Sequence, residues 1–404
     1  MYKKKIQLLI LVLLAVCAQG SDLQNGKDEI SITEYTVFDG NKGWDFNDVT
    51  YRLACGAIIV DCPNGDLLCG WLSGSAKEPA TDNCFLLARS SDGGKTWSKP
   101  KILIPSGQMA GIVTNMHKTN DGKVIALGAH WPSEMEYTEW HYFKIESADN
   151  GQTWSKPERF NLHNKNGFIG PGPIALLDGK YLYVGGFFDK REKPLTASVK
   201  ELALVENEKQ GHLLEPFDPN DKASDPGKFG RYLHGCCVFI AEDESSIKFS
   251  EHGYIGNRPL GLLEPTAIML KDGTIAMLMR AEWGGFLWRA DSKDNGRTWT
   301  QAWQTDIPNP SSLTCLIKLA DGRIGLLHNP TGGKVGQRGA RNPMSLWISS
   351  DEMKSWEIKK DLLTDGKLAY PCGLIYKDKL TFVYDKNRRE VKFVQVEMGL
   401  TDAK

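Results

Sequence analysis

From residue 30 onward the chain alternates short apolar runs, many rich in Val, Ile and Leu, with tight polar turns. Runs of this length bounded by turn residues predict strands, and sustained helical periodicity is absent except for a short stretch at Thr196–Glu208. Six turns stand out: CPNGD (62–66), NDGK (120–123), LDGK (177–180), KDGT (271–274), ADGR (320–323) and YKDK (376–379). Asn-Gly and Asp-Gly between hydrophobic runs predict hairpins, because the turn needs residues with positive φ.

A second period runs beside the first. SSDGGKTW (90–97), SADNGQTW (147–154) and SKDNGRTW (292–299) share Ser-x-Asp-x-Gly-x-Thr-Trp, and SSDEMKSW (349–356) is a worn copy with Met353 in the glycine position. The first two box aspartates, Asp92 and Asp149, are 57 residues apart, as are Asp294 and Asp351. AEDESSIKF (241–249) has the place of an eroded copy. Hairpin plus box, repeated, predicts an all-β fold: a six-bladed β-propeller with four-stranded antiparallel blades. The strand-like ISITEYTVFDG (30–40) is expected to close the ring by joining the last blade, which removes an exposed edge. The period breaks at 187–231, a charged, proline-containing stretch expected to project from blade three.

The box residues suit a structural turn. Asp and Ser hydrogen-bond nearby amides, Gly permits the bend, and Trp packs between blades. A calcium loop is the alternative, but each box offers only one or two carboxylates, so neither metal nor cofactor is expected.

The first twenty residues change the picture of location. Lys3, Lys4 and Lys5 precede the apolar run Ile6–Val16 and the small residues Ala18 and Gly20, which predicts a secretory signal peptide (1–20) cleaved near Gly20/Ser21. The mature propeller would then be residues 21–404, exported to the periplasm or beyond, with lipoprotein anchoring through Cys17 as the alternative. No other window has the ~18 apolar residues of a membrane span. Formal net charge is −1, and loss of the leader's lysines makes the mature chain mildly acidic, which gives no footprint for nucleic acid. Eight cysteines remain after Cys17, and they read as buried small hydrophobes rather than as a disulfide framework.

Candidate chemistry lies between the repeats. The starts of the inner strands of different blades converge near a propeller axis, and those segments carry Arg52 in VTYRLACGAIIV, Glu264 in LLEPTAIMLKDG and Tyr370 in LAYPCGLIYKDK. Arg280 ends the second strand of the Glu264 blade, and Arg341 precedes the worn box. His117, His130, His141, His234 and His328 lack the paired spacing of a zinc site and read as structural, with His117 or His130 able to line a pocket.

In these segments the chain resembles the sialidase (neuraminidase) superfamily of Asp-box propellers over nearly all of its mature length. TYRLACGAIIV resembles the family's Arg-Ile-Pro segment, EPTAIMLKDGTIAMLMR its Glu–hairpin–Arg segment, and AYPCGLIYKDKLTFVYDKNRREVKF the segment of its nucleophilic tyrosine. Leu53-Ala54 replaces Ile-Pro, Cys372 stands where a small polar residue is common, and Arg338 competes with Arg341 for the third arginine. The resemblance implies a retaining exo-glycosidase that removes a terminal acidic sugar, sialic acid foremost, from a glycan substrate. Arg52, Arg280 and Arg341 would hold the sugar carboxylate through charge-assisted bonds that Lys would not reproduce. Tyr370 would be the nucleophile, an exception to the usual carboxylate. A neutral phenol avoids the repulsion that a substrate carboxylate would exert on an anionic nucleophile. Glu264 would activate it. Asp82, in the loop SGSAKEPATDN, would be the acid/base group, with Glu78 in the same loop as a second candidate. Two other readings keep the propeller: hydrolysis or elimination on uronic-acid or rhamnose-containing polysaccharide, with a pocket histidine in the leading role, or glycan binding without catalysis.

Overall fold

The computed structural model describes residues 30–78, 80–107, 109–131, 140–162, 167–190, 232–255, 261–282, 284–332 and 339–399, with backbone alone at 188–190, 232–234 and 254. The leader, the 196–208 stretch, residues 191–231 of the expected insertion and Arg338 lie outside these.

Every regular element among the described residues is a strand; the strands form six antiparallel blades and one two-stranded hairpin, Trp44–Phe46 with Val49–Tyr51, in the crossing before blade one. Blade one comprises Cys55–Asp61, Leu67–Ser73, Cys84–Ser90 and Lys101–Ile104. Blade two comprises Ala110–Lys118, Val124–Trp131, His141–Ser147 and Glu158–Phe160. In blade three the inner strand is split into Gly167–Ile169 and Ile174–Ala175, both paired with Tyr181–Lys190, followed by Tyr232–Ala241 and Phe249–Ile255. Blade four is Leu262–Met269, Ile275–Ala281, Gly285–Ser292 and Trp303–Asn309. Blade five is Cys315–Lys318, Ile324–His328, Met344–Ser349 and Ile358–Leu363. Blade six takes Leu368–Tyr376, Lys379–Lys386 and Glu390–Met398 from the C-terminus, and its outer strand, Ile30–Asp39, from the N-terminus. That pairing, from Ile30↔Met398 to Asp39↔Glu390, closes the ring as expected.

All six predicted hairpins join the first and second strands of a blade. The glycine of each of the first five has φ between 82° and 87°, and Lys377 and Asp378 take the left-handed conformation in the sixth. The boxes join the third and fourth strands of blades one, two, four and five, and 241–249 makes the same connection in blade three. Blade six has no box because its fourth strand comes from the other end of the chain. Six apolar clusters, one per seam between neighbouring blades, form the core.

The boxes work as turns. In the first, Asp92 Oδ1 accepts from the Ser90 hydroxyl at 2.8 Å and the Thr96 amide at 2.9 Å, and Oδ2 accepts from the Thr96 hydroxyl at 2.6 Å. Trp97 donates to the Gly94 carbonyl and packs edge-on against Phe393 of blade six. A Cβ on Gly94 would lie 2.1 Å from Phe393, so the neighbouring blade requires glycine there. The worn box instead has Met353 at that position, with its side chain in the cluster between blades four and five. The eight cysteines after the leader are free thiols.

Candidate active site

Antiparallel blades sort the connections onto two ends. Hairpins between strands one and two, and boxes between three and four, share one end; the second-to-third loops and the crossings between blades share the other. The loop carrying Glu78 and Asp82, Arg341, the turn at 387–389, and the crossings that carry Arg52 and Ser311 all fall at this second end.

Two inner strands present the central pair. Glu264 (φ 47°) and Tyr370 (φ 56°) are left-handed, and each precedes a proline. Proline has no N–H for the ladder, and the register shifts at both points, between Leu263 and Thr266 and between Ala369 and Cys372. Non-glycine residues in this conformation are strained and concentrate at functional sites. The bulges bring the Tyr370 hydroxyl within 3.2 Å of Glu264 Oε1, to which it donates.

Arg280 flanks the pair. Its Nε lies 2.7 Å from Glu264 Oε2, and its Nη1 donates to the Ser311 carbonyl at 2.5 Å. Arg341 donates to the same carbonyl at 2.8 Å, and its guanidinium lies 5.3 Å from the centre of the Tyr370 ring. Two guanidiniums thus meet at one oxygen beside the tyrosine. Burial works against the Arg280 charge, but Glu264 and Tyr370 hold its pKa above the ordinary value. Burial, followed by the Glu264 charge, pushes the Tyr370 phenol up, while Arg280 and Arg341 pull it down. Tyr370 therefore needs both a base and the cations beside it to react as phenolate.

The structure brings Glu264, Arg280, Arg341 and Tyr370 together. Arg52 is exposed, and its guanidinium donates to the Asn41 carbonyl at 3.1 Å. Asp82 accepts from the Ser75 amide at 2.7 Å, a contact within its own loop. Glu78 pairs with Arg388 and receives the Cys55 thiol at 3.4 Å. His117 is buried, its ring nitrogens 2.7 Å from Asn115 Oδ1 and 3.0 Å from the Glu244 carbonyl, and the His130 ring packs on Phe143.

Four residues of this region escaped the sequence reading. Ser311 supplies the shared carbonyl from a left-handed conformation (φ 66°); Asn309-Pro310 before it marks a turn, but nothing in the sequence marks its carbonyl as shared. Gly56 (φ 60°) sits at the register break of the blade-one inner strand, the counterpart of Glu264 and Tyr370. Asp385 is fully buried, and one of its oxygens accepts from the Gly56 amide at 3.3 Å. Burial raises its pKa from 3.8 to about 7, against the pull of that amide, Arg388, Arg341 and Lys367. Arg388 lies in the turn between the second and third strands of blade six, and its carbonyl accepts from the Ala54 amide at 3.1 Å. The signal for the last two was the polar turn DKNRRE itself, which reads as an ordinary hairpin. A separate groove of about 400 Å³, lined by Trp303, Trp356, Arg289 and Lys359 among others, lies between blades four and five and includes none of these residues.

Comparison with known proteins agrees with this architecture. Residues 65–382 match the family model described as a BNR repeat-like domain. A sialidase of Bacteroides fragilis (strain YCH46) is 23% identical over 353 residues, which cover 77% of this chain and 56% of the relative. The chain thus spans little more than half the length of that curated relative. Among solved structures, a protein of unknown function from Dyadobacter fermentans DSM 18053 superposes with a TM-score of 0.64 at 14% identity, covering 90% of this chain and 99% of its own. The Hadza microbial sialidase Hz136 gives 0.64 at 16% identity, covering 92% and 69%. Trypanosoma rangeli sialidase in complex with sialic acid gives 0.61 at 14%, covering 92% and 59%. At these identities the superpositions establish the fold, while the family match spans most of the chain: this protein belongs to the BNR repeat-like family, among the propellers of the sialidase superfamily.

Proposed function

We propose that the protein is an exported glycoside hydrolase that removes a terminal acidic sugar from glycoconjugates, an exo-α-sialidase. The observation that carries this reading is the Tyr370 hydroxyl, 3.2 Å from Glu264, beside two guanidiniums that meet at the Ser311 carbonyl. Arg280 and Arg341 hold the carboxylate of the sugar and fix the anomeric carbon over Tyr370. Glu264 takes the phenolic proton as the Tyr370 oxygen attacks, and an acid of the 74–83 loop, Asp82, protonates the leaving oxygen. Water then releases the sugar with retention as the same groups exchange roles. The relative named a sialidase supports the substrate class, and the lysine-flanked apolar leader supports export.

The test is release of fluorophore from α2,3- and α2,6-linked sialosides by purified protein. Turnover by wild type, lost by at least about a hundredfold in Tyr370→Phe with unfolding temperature unchanged, is the expected result. No release from either linkage overturns the proposal, and glycan binding without turnover would identify a carbohydrate-binding propeller instead.

A further inference from the structure

Three inner strands share one irregularity. Blades one, four and six each place a left-handed residue at a register break: Gly56, Glu264 and Tyr370. Blades four and six fill that position with the reacting pair, whereas blade one leaves it without a side chain. A Cβ built on Gly56 meets nothing within 4 Å, so the position borders open space.

The groups around that space form a connected set. The Arg388 carbonyl takes the Ala54 amide, which ties the blade-six turn to the start of blade one. The Gly56 amide donates to Asp385, whose other carboxylate oxygen is buried without a hydrogen-bond partner. The Arg388 guanidinium pairs with Glu78, whose same oxygen lies 3.4 Å from the Cys55 thiol. Its charge acts on Tyr370 and Asp385. Arg52, three residues before Cys55, turns away to Asn41.

We infer that Arg388 is the third guanidinium of the acid-binding site, and that Glu78 occupies it as an internal carboxylate which an acidic sugar must displace. This rests on the acidic-sugar reading above and deepens it. A carboxylate on a loop is chemically equivalent to the group the site would recognise, so the two compete for one fork of donors. The observed state is then the self-occupied one. Ligand entry requires Glu78, on the same loop as Asp82, to give up its Arg388 contact. Neutral sugars cannot make the exchange, so Glu78 sets a threshold that only an anion crosses.

The experiment measures binding of free N-acetylneuraminic acid and of its methyl ester to the full chain by titration calorimetry, for wild type, Glu78→Gln, Arg388→Met and the double variant. Thermal unfolding verifies that each variant is folded, with Glu78→Ala and Arg388→Lys as second choices. Glu78→Gln is expected to bind the free acid about tenfold more tightly and the ester no better, and Arg388→Met to bind the acid at least about tenfold more weakly. In the Arg388→Met background, Glu78→Gln should have no effect. Wild type that turns over sialosides while Glu78→Gln and Arg388→Met leave acid affinity unchanged overturns this inference and leaves the proposed function standing. Tighter acid binding by Glu78→Gln without turnover supports the inference and removes the catalytic reading. Absence of acid binding in wild type and every variant overturns this inference, and overturns the proposed function as well when neither sialoside is turned over.

Discussion

Asp385 offers a direct measurement of how the site holds charge. It is fully buried at the second strand of blade six, with one oxygen on the Gly56 amide and the other unpartnered. Burial lifts its pKa from 3.8 to about 7. Each tenfold change in an ionisation constant is worth roughly 1.4 kcal/mol, so ionised Asp385 costs the folded state about 4 kcal/mol as an upper bound. The sign follows from proton counting. Between pH 3.8 and 7 the folded protein keeps a proton that the unfolded chain has released, so this group's contribution to stability falls as pH rises through that window and is flat above it. Asn at 385 keeps an oxygen for the Gly56 amide and has no charge to desolvate. Guanidinium unfolding of wild type and Asp385→Asn at pH 5, 6, 7 and 8 should show a difference in favour of Asn that grows toward about 4 kcal/mol at pH 8. A difference that stays flat with pH, or a variant less stable at pH 8, would show that Arg388, Arg341 and Lys367 keep Asp385 ionised despite its burial.

Two further outcomes follow from the blades. Gly94→Ala places a Cβ 2.1 Å from Phe393 at φ +92°, and should lower stability by about 2–4 kcal/mol in denaturant unfolding; a loss below about 1 kcal/mol would mean that the seam between blades one and six yields. Asp92 has its pKa lowered to about 2 by the Thr96 hydroxyl and amide and the Ser90 hydroxyl. Its contribution is therefore complete above the unfolded value near 3.8 and is lost as pH falls through about 2, so Asp92→Asn should flatten the acid limb of the unfolding curve between pH 4 and 2.

Much of the ring was legible because its signals are local. Positive φ at Gly65 or Gly122 is demanded by a turn of a few residues, and Ser90, Asp92 and Thr96 satisfy one another within a single box. Pro265 and Pro371 likewise mark the two bulges on which Glu264 and Tyr370 sit, because a residue without an N–H interrupts any ladder. Arg280 and Arg341 were readable as candidates, being cations beside those segments. Their meeting at Ser311 was not, since the carbonyl belongs to a third stretch of chain and its orientation depends on one left-handed residue.

By itself the sequence determined the number of blades, the turn that joins the first two strands of each, and the strand that closes the ring. All of these depend on alternation and turn chemistry within a few residues. The tertiary structure alone decided which cations share a space. Arg52 and Arg388 are both arginines at blade edges, yet one reaches out to Asn41 and the other to Glu78. The difference comes from register: Cys55 pairs with Leu72, the break falls at Gly56, and Arg52 is left upstream of the strand. Pairing between distant segments sets that register, and a shift of a single position reverses the face to which a side chain points.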